Sequence, residues 1–308
     1  MTSAGDSEGF DLIVNPSSGG GRARRVVPDF VGRLTERGVP VRVQASTDAA
    51  DLRARVRAVV DSGAPAVVVA GGDGTLHLAV QELAGSATAL AILPTGTGDD
   101  NARTLGIPLG SPADAADAVV DGEDRSVDLA HVVAGDGTER HFLGVLSAGF
   151  DSFVNERANA MRWPTGRAKY AVAILGELRV FRPVQYSARI DGARIDRGAM
   201  LVAVGNGRSY GGGMRICPDA EVDDGLLDVT WLHAVGLPTF LRAFPSVFSG
   251  KHVHRSDVST YRARDVRLEG AGQLAYADGE RVGPLPIEIT VRPGALRVRT
   301  PRGGRSLA

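Results

Sequence analysis

Ala66-Val67-Val68-Val69-Ala70-Gly71-Gly72-Asp73-Gly74-Thr75 joins a short apolar run to a glycine-rich turn that carries one carboxylate. The run is too short to span a bilayer and has the length and valine content of a buried strand. Leu76, Val80, Leu83 and Ala84 follow at helical spacing, so strand, loop and helix read in order. Gly71, Gly72 and Gly74 tolerate positive φ and let a ligand approach the backbone, while the helix start offers N–H groups to phosphate oxygens. Asp73 stands among those donors. A carboxylate beside phosphate repels it unless a cation or coordinated water lies between, so Asp73 points to a divalent metal or to catalysis.

Outward from this loop, short β-like runs over 11–15, 39–45, 66–70 and 89–93 alternate with helix-like segments, the pattern of a parallel sheet wrapped by helices. The clearest helix covers 48–61: Asp48 caps it, Asp51 suits its first turn, Leu52, Val56, Val59 and Val60 form one face, and Gly63 ends it. From about residue 141 β-type runs dominate, over 200–205, 226–232, 265–269, 287–291 and 296–300, with a single long helical candidate at 168–180. Two domains are expected. Residues 9–130 form an α/β nucleotide-binding domain with helices on both faces of a parallel sheet. Residues 131–308 form a β-rich, mainly antiparallel domain whose last strand is free to return to the first.

Three more loops carry candidate chemistry. Asn15-Pro16-Ser17-Ser18-Gly19-Gly20-Gly21-Arg22 follows the first strand, and Pro94-Thr95-Gly96-Thr97-Gly98-Asp99-Asp100-Asn101 follows another. Ligands of open α/β sheets sit at the carboxyl ends of strands, so these loops and the Asp73 loop could line one crevice, with Arg22, Arg24 or Arg25 meeting phosphate. Asp99 or Asp100 can equally cap the helix that follows. Asp278-Gly279-Glu280 comes after a β-run at 273–277, and Asp-Gly is also an ordinary hairpin pair.

The 308 residues are 43% hydrophobic, enough for sizeable cores, and 35 Lys+Arg against 36 Asp+Glu leave a formal charge of −1. No global field recruits nucleic acid, so attraction to an anionic surface must be local. Such a patch occurs at 161–182, where Arg162, Arg167, Lys169, Arg179 and Arg182 face only Glu177, with Trp163 among them; a solvated amphipathic helix is the alternative. Cys217 is the only cysteine and the first residues are polar, so a cytoplasmic protein is expected, peripheral at most to a membrane. A Walker loop is excluded because neither lysine fits one: Gly250-Lys251 leads into His252, and Lys169 has no glycine loop. No G-x-G-x-x-G opens the first helix. Of the scattered histidines, His252 and His254 read as a solvated strand face rather than a zinc site.

With these loops in view, the chain resembles the diacylglycerol kinase catalytic-domain family of soluble lipid kinases, which are similar to sphingosine kinases. The likeness runs from Ile13 to about Thr300 and rests on the ordered set Asn15-Pro16 with its glycines, Gly71-Gly72-Asp73-Gly74-Thr75, 94–100, Ser147-Ala148-Gly149-Phe150-Asp151, 218–228 and Asp278-Gly279-Glu280. The resemblance implies ATP and Mg²⁺ as cofactors, with ATP in a cleft between the domains, and transfer of its γ-phosphate to a lipid hydroxyl, most simply that of diacylglycerol. It implies that Asn15, Thr47, Gly72, Gly74, Thr75, Thr97 and Glu280 hold ATP. It also implies that Asp73, Asp100 and Asp128 form an acidic cluster near the phosphates, that Asp278 is the general base, and that Asp224, with the carbonyls of Glu221 and Leu226, binds a structural magnesium. The partners implied are a lipid alcohol and an anionic membrane surface, with a homodimer as an option. One departure stands out: Asp99 replaces the family's amide, adding charge near the phosphates, and is left outside the site. The competing readings are an NAD kinase-like small-molecule kinase, which shares the GGDGT loop, and a non-catalytic lipid-binding protein. The set of Asp73, Asp100, Asp128 and Asp278 argues against the latter, because a binding module has no use for a distant base.

Overall fold

The computed structural model describes residues 9–161, 172–173, 176 and 182–303. The chain divides into two units: one reaches Val127 and resumes at Gly294, and the other is Asp128–Pro293.

In the first unit strands and helices alternate: β1 (Phe10–Val14), α1 (Ser18–Glu36), β2 (Val41–Ala45), α2 (Ala49–Asp61), β3 (Ala66–Gly71), α3 (Asp73–Leu83), β4 (Ala89–Pro94), α4 (Asp100–Thr104) and α5 (Pro112–Asp121), before β5 (Glu123–Ala134) leads into the second unit. Strands β1 to β4 pair in parallel, in the order β4-β3-β1-β2. Every residue of β3 and β4 is buried, as expected of strands covered on both faces. Leu12, Val14, Val68, Ala70, Ala91 and Leu93 share one face with Phe30 and Leu34 of α1 and Ala115 and Val119 of α5. Side-chain alternation sends Ile13, Val67 and Val69 to the other face, where α2 and α3 pack. Helix α2 follows its sequence signals: the Asp48 carboxylate accepts the Asp51 N–H at 2.9 Å, Leu52, Val56 and Val59 are buried, and Gly63 leaves the helix at φ +73°. Helix α1 differs from a plain helix, since Gly19, Gly20 and Gly21 are all left-handed and the right-handed helix begins only after them.

The second unit contains β6 (Glu139–Phe142), β7 (Val145–Gly149), α6 (Phe150–Ala160), β8 (Val184–Ile190), β9 (Ala193–Gly205), β10 (Leu227–His233), α7 (Leu237–Ala243), two 3-10 turns (Phe244–Val247 and Lys251–His254), β11 (Val258–Ala263), β12 (Asp265–Glu269), β13 (Leu274–Ala277), β14 (Glu280–Pro284) and the start of β15 (Ile287–Thr300). Its pairings are antiparallel. Its core gathers Phe142, Leu146, Val202, Leu268 and Ile289 around Trp231, whose ring meets Tyr186 edge-on at 6.0 Å. The expected strands over 287–291 and 296–300 are one strand, and its far end returns to the first unit, where Val298 lies beside Leu90 of β4 and Arg299 Nε reaches Asp124 at 2.8 Å. His252 and His254 sit on a 3-10 turn rather than a strand. His252 is buried with Nε2 3.1 Å from the Ile216 carbonyl, and only His254 is exposed. The helix expected over 168–180 and most of the basic segment 161–182 lie outside the described residues. Among the described residues, no helix is long and apolar enough to cross a membrane.

Asp228 on β10 is a buried carboxyl whose Oδ2 lies 3.6 Å from Arg262. Burial pushes its pKa up to about 6, against the pull of Arg262. The native state therefore holds this proton more tightly than the unfolded chain does. The resulting stabilisation is complete below the ordinary carboxyl value near 4 and is lost as pH rises through 6. Melting curves of wild type and Asp228→Asn should diverge accordingly: wild type loses on the order of 2 kcal/mol relative to the variant between pH 4 and pH 7, with no further change above.

Candidate active site

The three loops at the carboxyl edge of the first unit converge on one another. Strand β1 pairs with β2 on one side and β3 on the other, so the chain steps one way from β1 to β2 and the opposite way from β3 to β4, which opens a crevice between β1 and β3. Asn15, just past β1, donates from Nδ2 to Thr75 Oγ1 on α3 at 3.0 Å, directly across that switch point. The Ser18 and Thr95 hydroxyls meet at 2.9 Å. Backbones approach still more closely. A Cβ on Gly19 would lie 2.0 Å from the Thr95 carbonyl oxygen, and one on Gly96 would lie 2.6 Å from the Gly72 Cα. Any larger residue at these positions would force the loops apart.

Helix α3 starts at the centre of this crevice with Gly72 as its N-cap and no side chain capping it. The first-turn N–H groups of a helix have no intrahelical acceptor, so the N–H groups of Gly74 and Thr75 point toward the mouth of the loop as anion donors. Asp73 belongs to the same turn, and its Oδ1 accepts the Asn101 N–H at 2.9 Å, tying the GGDGT loop to the start of α4. Asp100 is buried at 4% exposure and forms an ion pair with Arg103 at 2.7 Å. Thr97 is exposed on the same loop, and Thr47, past β2, is exposed with its N–H given to Asp51. A carboxylate beside glycine-presented N–H groups is a donor set that fits a magnesium ion drawing its remaining ligands from phosphate and water. Among the described residues, no three acidic, His or Cys side chains gather to hold a metal by themselves.

Asp99 takes a role that its sequence context leaves open. It occupies the N-cap position of α4, but its backbone is left-handed at φ +53° and its carboxylate turns back to accept the Gly96 N–H at 2.9 Å rather than capping the helix. An asparagine would make the same bond in the same conformation. Burial raises the Asp99 pKa, opposed by the Gly96 N–H and by Arg22 and Arg103. The substitution thus keeps the turn, and burial disfavours the extra charge.

The remaining residues lie in the second unit. Asp278 and Gly279, at φ +52° and +84°, form the two-residue hairpin between β13 and β14, so the turn reading of Asp-Gly holds. The Asp278 carboxylate accepts backbone N–H groups from Leu143 at 3.2 Å and Gly144 at 3.0 Å. Asp191-Gly192 repeats the device between β8 and β9, with the Asp191 carboxylate accepting the N–H groups of Arg264 and Asp265 at 2.9 Å each. A cradled Asp-Gly turn is therefore a feature of this fold and marks no chemistry alone. Asp278 differs in what stands behind its cradle. The buried Asn206 amide donates to the carbonyls of Leu143 at 2.9 Å and Asp128 at 3.0 Å, and the Asp128 carboxylate accepts the Gly225 N–H at 2.7 Å. Asp278, Asp128 and the 222–226 loop are thereby linked through a residue that the motif reading missed. Its signal was available: Gly205-Asn206-Gly207 follows an apolar run, with the same grammar as the other loops.

Asp224 sits in that loop, with Oδ1 accepting the Leu226 N–H at 2.9 Å and Oδ2 paired with the Arg262 guanidinium. The positive charge beside Asp224 is an arginine. This loop is where the family resemblance implies a magnesium ion held by Asp224 with the carbonyls of Glu221 and Leu226, and a carboxylate oxygen that accepts one hydrogen bond keeps a lone pair for such an ion. Glu280 is exposed at the start of β14.

Comparison with known proteins agrees with this architecture. Residues 10–132 match the model of the diacylglycerol kinase catalytic domain, and residues 144–300 match the YegS C-terminal NAD kinase beta sandwich-like domain. The chain is 45% identical over 293 residues to a diacylglycerol kinase of Mycobacterium tuberculosis, covering 95% of each chain. It is 26% identical over 282 residues to a diacylglycerol kinase of Bacillus subtilis, covering 90% of this chain and 91% of that one. In fold it is similar to the crystal structure of a diacylglycerol kinase from Bacillus anthracis, with a TM-score of 0.73 at 23% identity, covering 97% of this chain and 98% of that one. By sequence along nearly its whole length and by the fold of both halves, the chain belongs to the diacylglycerol kinase catalytic-domain family.

Proposed function

We propose that the protein is a lipid kinase that transfers the γ-phosphate of ATP to a lipid hydroxyl, with diacylglycerol as the acceptor and phosphatidic acid as the product. The observation that carries the reading is the convergence of three glycine loops at the β1/β3 switch point, with Asn15 bonded to Thr75 across it and Asp73 at the start of α3. Phosphoryl transfer asks a protein mainly for positioning and charge compensation. The N–H groups of Gly74 and Thr75 hold phosphate oxygens, Asn15 and Thr75 fix the loop that presents them, and Thr47 and Thr97 contribute exposed hydroxyls at the same edge. Magnesium, when bound with the nucleotide, offsets charge on the transferring group; Asp73 is the residue of the first unit placed to hold it. Asp278 accepts the proton of the attacking hydroxyl, its carboxylate oriented by the N–H groups of Leu143 and Gly144. Glu280, as likeness to the family implies, contributes a further contact to the nucleotide. The protein works in the cytoplasm at the surface of a membrane, where its acceptor resides.

One observation keeps a second reading in the test. The second half matches a sandwich described as NAD kinase-like, so its fold alone does not select a lipid over a soluble acceptor.

Asp73→Asn and Asp278→Asn should each lower turnover with ATP and diacylglycerol by ~10²-fold or more while leaving the melting temperature within a few degrees of wild type. Turnover within about threefold of wild type would remove that residue from the mechanism. Asn206 should act through position. Asn206→Ala strips two carbonyls of a buried donor and should destabilise the fold by about 1–3 kcal/mol, whereas Asn206→Asp, which sets a second acceptor against those carbonyls, should cost more. Denaturant melts of the two variants give this order, and equal stability would show that the Asn206 amide does not hold the network.

A further inference from the structure

No Asp or Glu occurs between Asp228 and Asp257, a stretch that contains α7 and both 3-10 turns. Helical backbone continues from Leu237 through Phe248, first as α7 and then as the 3-10 turn. Leu237, Leu241, Phe244 and Phe248 are spaced by four, three and four residues, so they form one stripe along it. Leu237, Leu241 and Phe248 are 42%, 48% and 49% exposed, three of the seven exposed large apolar residues among those described. Phe244 joins them, its ring edge-on to Phe248 at 6.2 Å. The side that adjoins the stripe is satisfied: Phe240 and Ala243 are buried, the Phe240 ring packs on Phe150 at 5.0 Å, and the partly buried Phe244 joins the same cluster with its ring 6.1 Å from that of Phe240. The exposed stripe is therefore not surplus from a poorly packed helix. Arg242 and Lys251 are exposed beside it, and neither pairs with a carboxylate among the described residues; Arg255, by contrast, is held by Asp257.

We propose that this face, Leu237, Leu241 and Phe248 with Arg242 and Lys251, docks the protein on an anionic lipid surface. The proposal rests on the lipid-kinase reading for its purpose, but its evidence is independent of the phosphate loops. A short segment with an apolar stripe and uncompensated cations fits a bilayer interface, where the side chains enter the acyl boundary and the cations meet lipid phosphates. A second copy of the chain fits worse, because a two-fold contact would bring these cations toward their own counterparts. The segment is too short to cross a bilayer, so the contact is peripheral.

Co-sedimentation of the full-length protein with phosphatidylcholine vesicles, with and without phosphatidylglycerol, tests the assignment. Wild type should bind more strongly as phosphatidylglycerol increases and less strongly as salt increases. Leu241→Asp with Phe248→Asp should weaken binding at least about tenfold, since two large side chains lose their apolar burial. Arg242→Glu with Lys251→Glu should abolish the preference for phosphatidylglycerol. All four positions are exposed, so both double variants should keep the wild-type melting temperature. Wild-type vesicle binding by either double variant would overturn the proposal. So would a wild-type dimer in sedimentation velocity that the Leu241→Asp, Phe248→Asp variant dissolves. If no lipid alcohol is phosphorylated while the variants still lose vesicle binding, the kinase reading falls and the docking face stands.

Discussion

Contact between bare backbones at Gly72 and Gly96 is the constraint on which the candidate site depends. Each glycine would drive a Cβ to within 2.8 Å of the other's Cα, so the loops after β3 and β4 meet only because neither residue has a side chain. Gly19 makes the same demand against the Thr95 carbonyl from the loop after β1. Three loops from three strands are thereby drawn to one point, and that point lies where the order of the parallel sheet reverses. The helix dipole, the first-turn N–H groups and Asp73 acquire a purpose only because the loops are packed closely enough to surround a phosphate.

The second unit applies a different principle. Its site residues are fixed by backbone hydrogen bonds to carboxylates rather than by close approach of glycines. Leu143 and Gly144 hold Asp278, Gly225 holds Asp128, and Asn206 joins the two assemblies through their carbonyls. Arg262 supplies a positive charge from within the chain to Asp224 and Asp228 of this acidic loop. Asp191 heads a like Asp-Gly turn and also accepts two consecutive backbone N–H groups, there on a single oxygen. The base role proposed for Asp278 rests on likeness to the family and not on the turn; its link through Leu143 to Asn206 and Asp128 is what sets its surroundings apart from those of Asp191.

Much of this was legible in the sequence where one local rule decides the outcome. The buried run at 66–71, the Asp48 cap of α2 and the Asp-Gly hairpin at 278–279 follow from burial, capping and turn chemistry. Features set by tertiary partners were not legible. Pro293-Gly294 reads as a strand breaker, yet β15 passes through it, because residues 292–294 are exposed and the strand there passes from one unit to the other. His252 reads as one of a solvated pair, yet the Ile216 carbonyl draws it inside. Asp99 reads as a helix cap or an unwanted charge, and only the position of the Gly96 N–H shows that it does the work of an amide. Asn206 escaped notice because a lone asparagine between glycines has no motif; its importance lies in which carbonyls it meets.

The central claim is that a phosphate crevice built from touching glycine loops serves a lipid acceptor. Incubation of the purified protein with Mg²⁺, γ-labelled ATP and a panel containing diacylglycerol, a sphingoid base and NAD tests it most directly. The account predicts label in phosphatidic acid that depends on Mg²⁺; label in phosphorylated NAD, or in none of the acceptors, would contradict it.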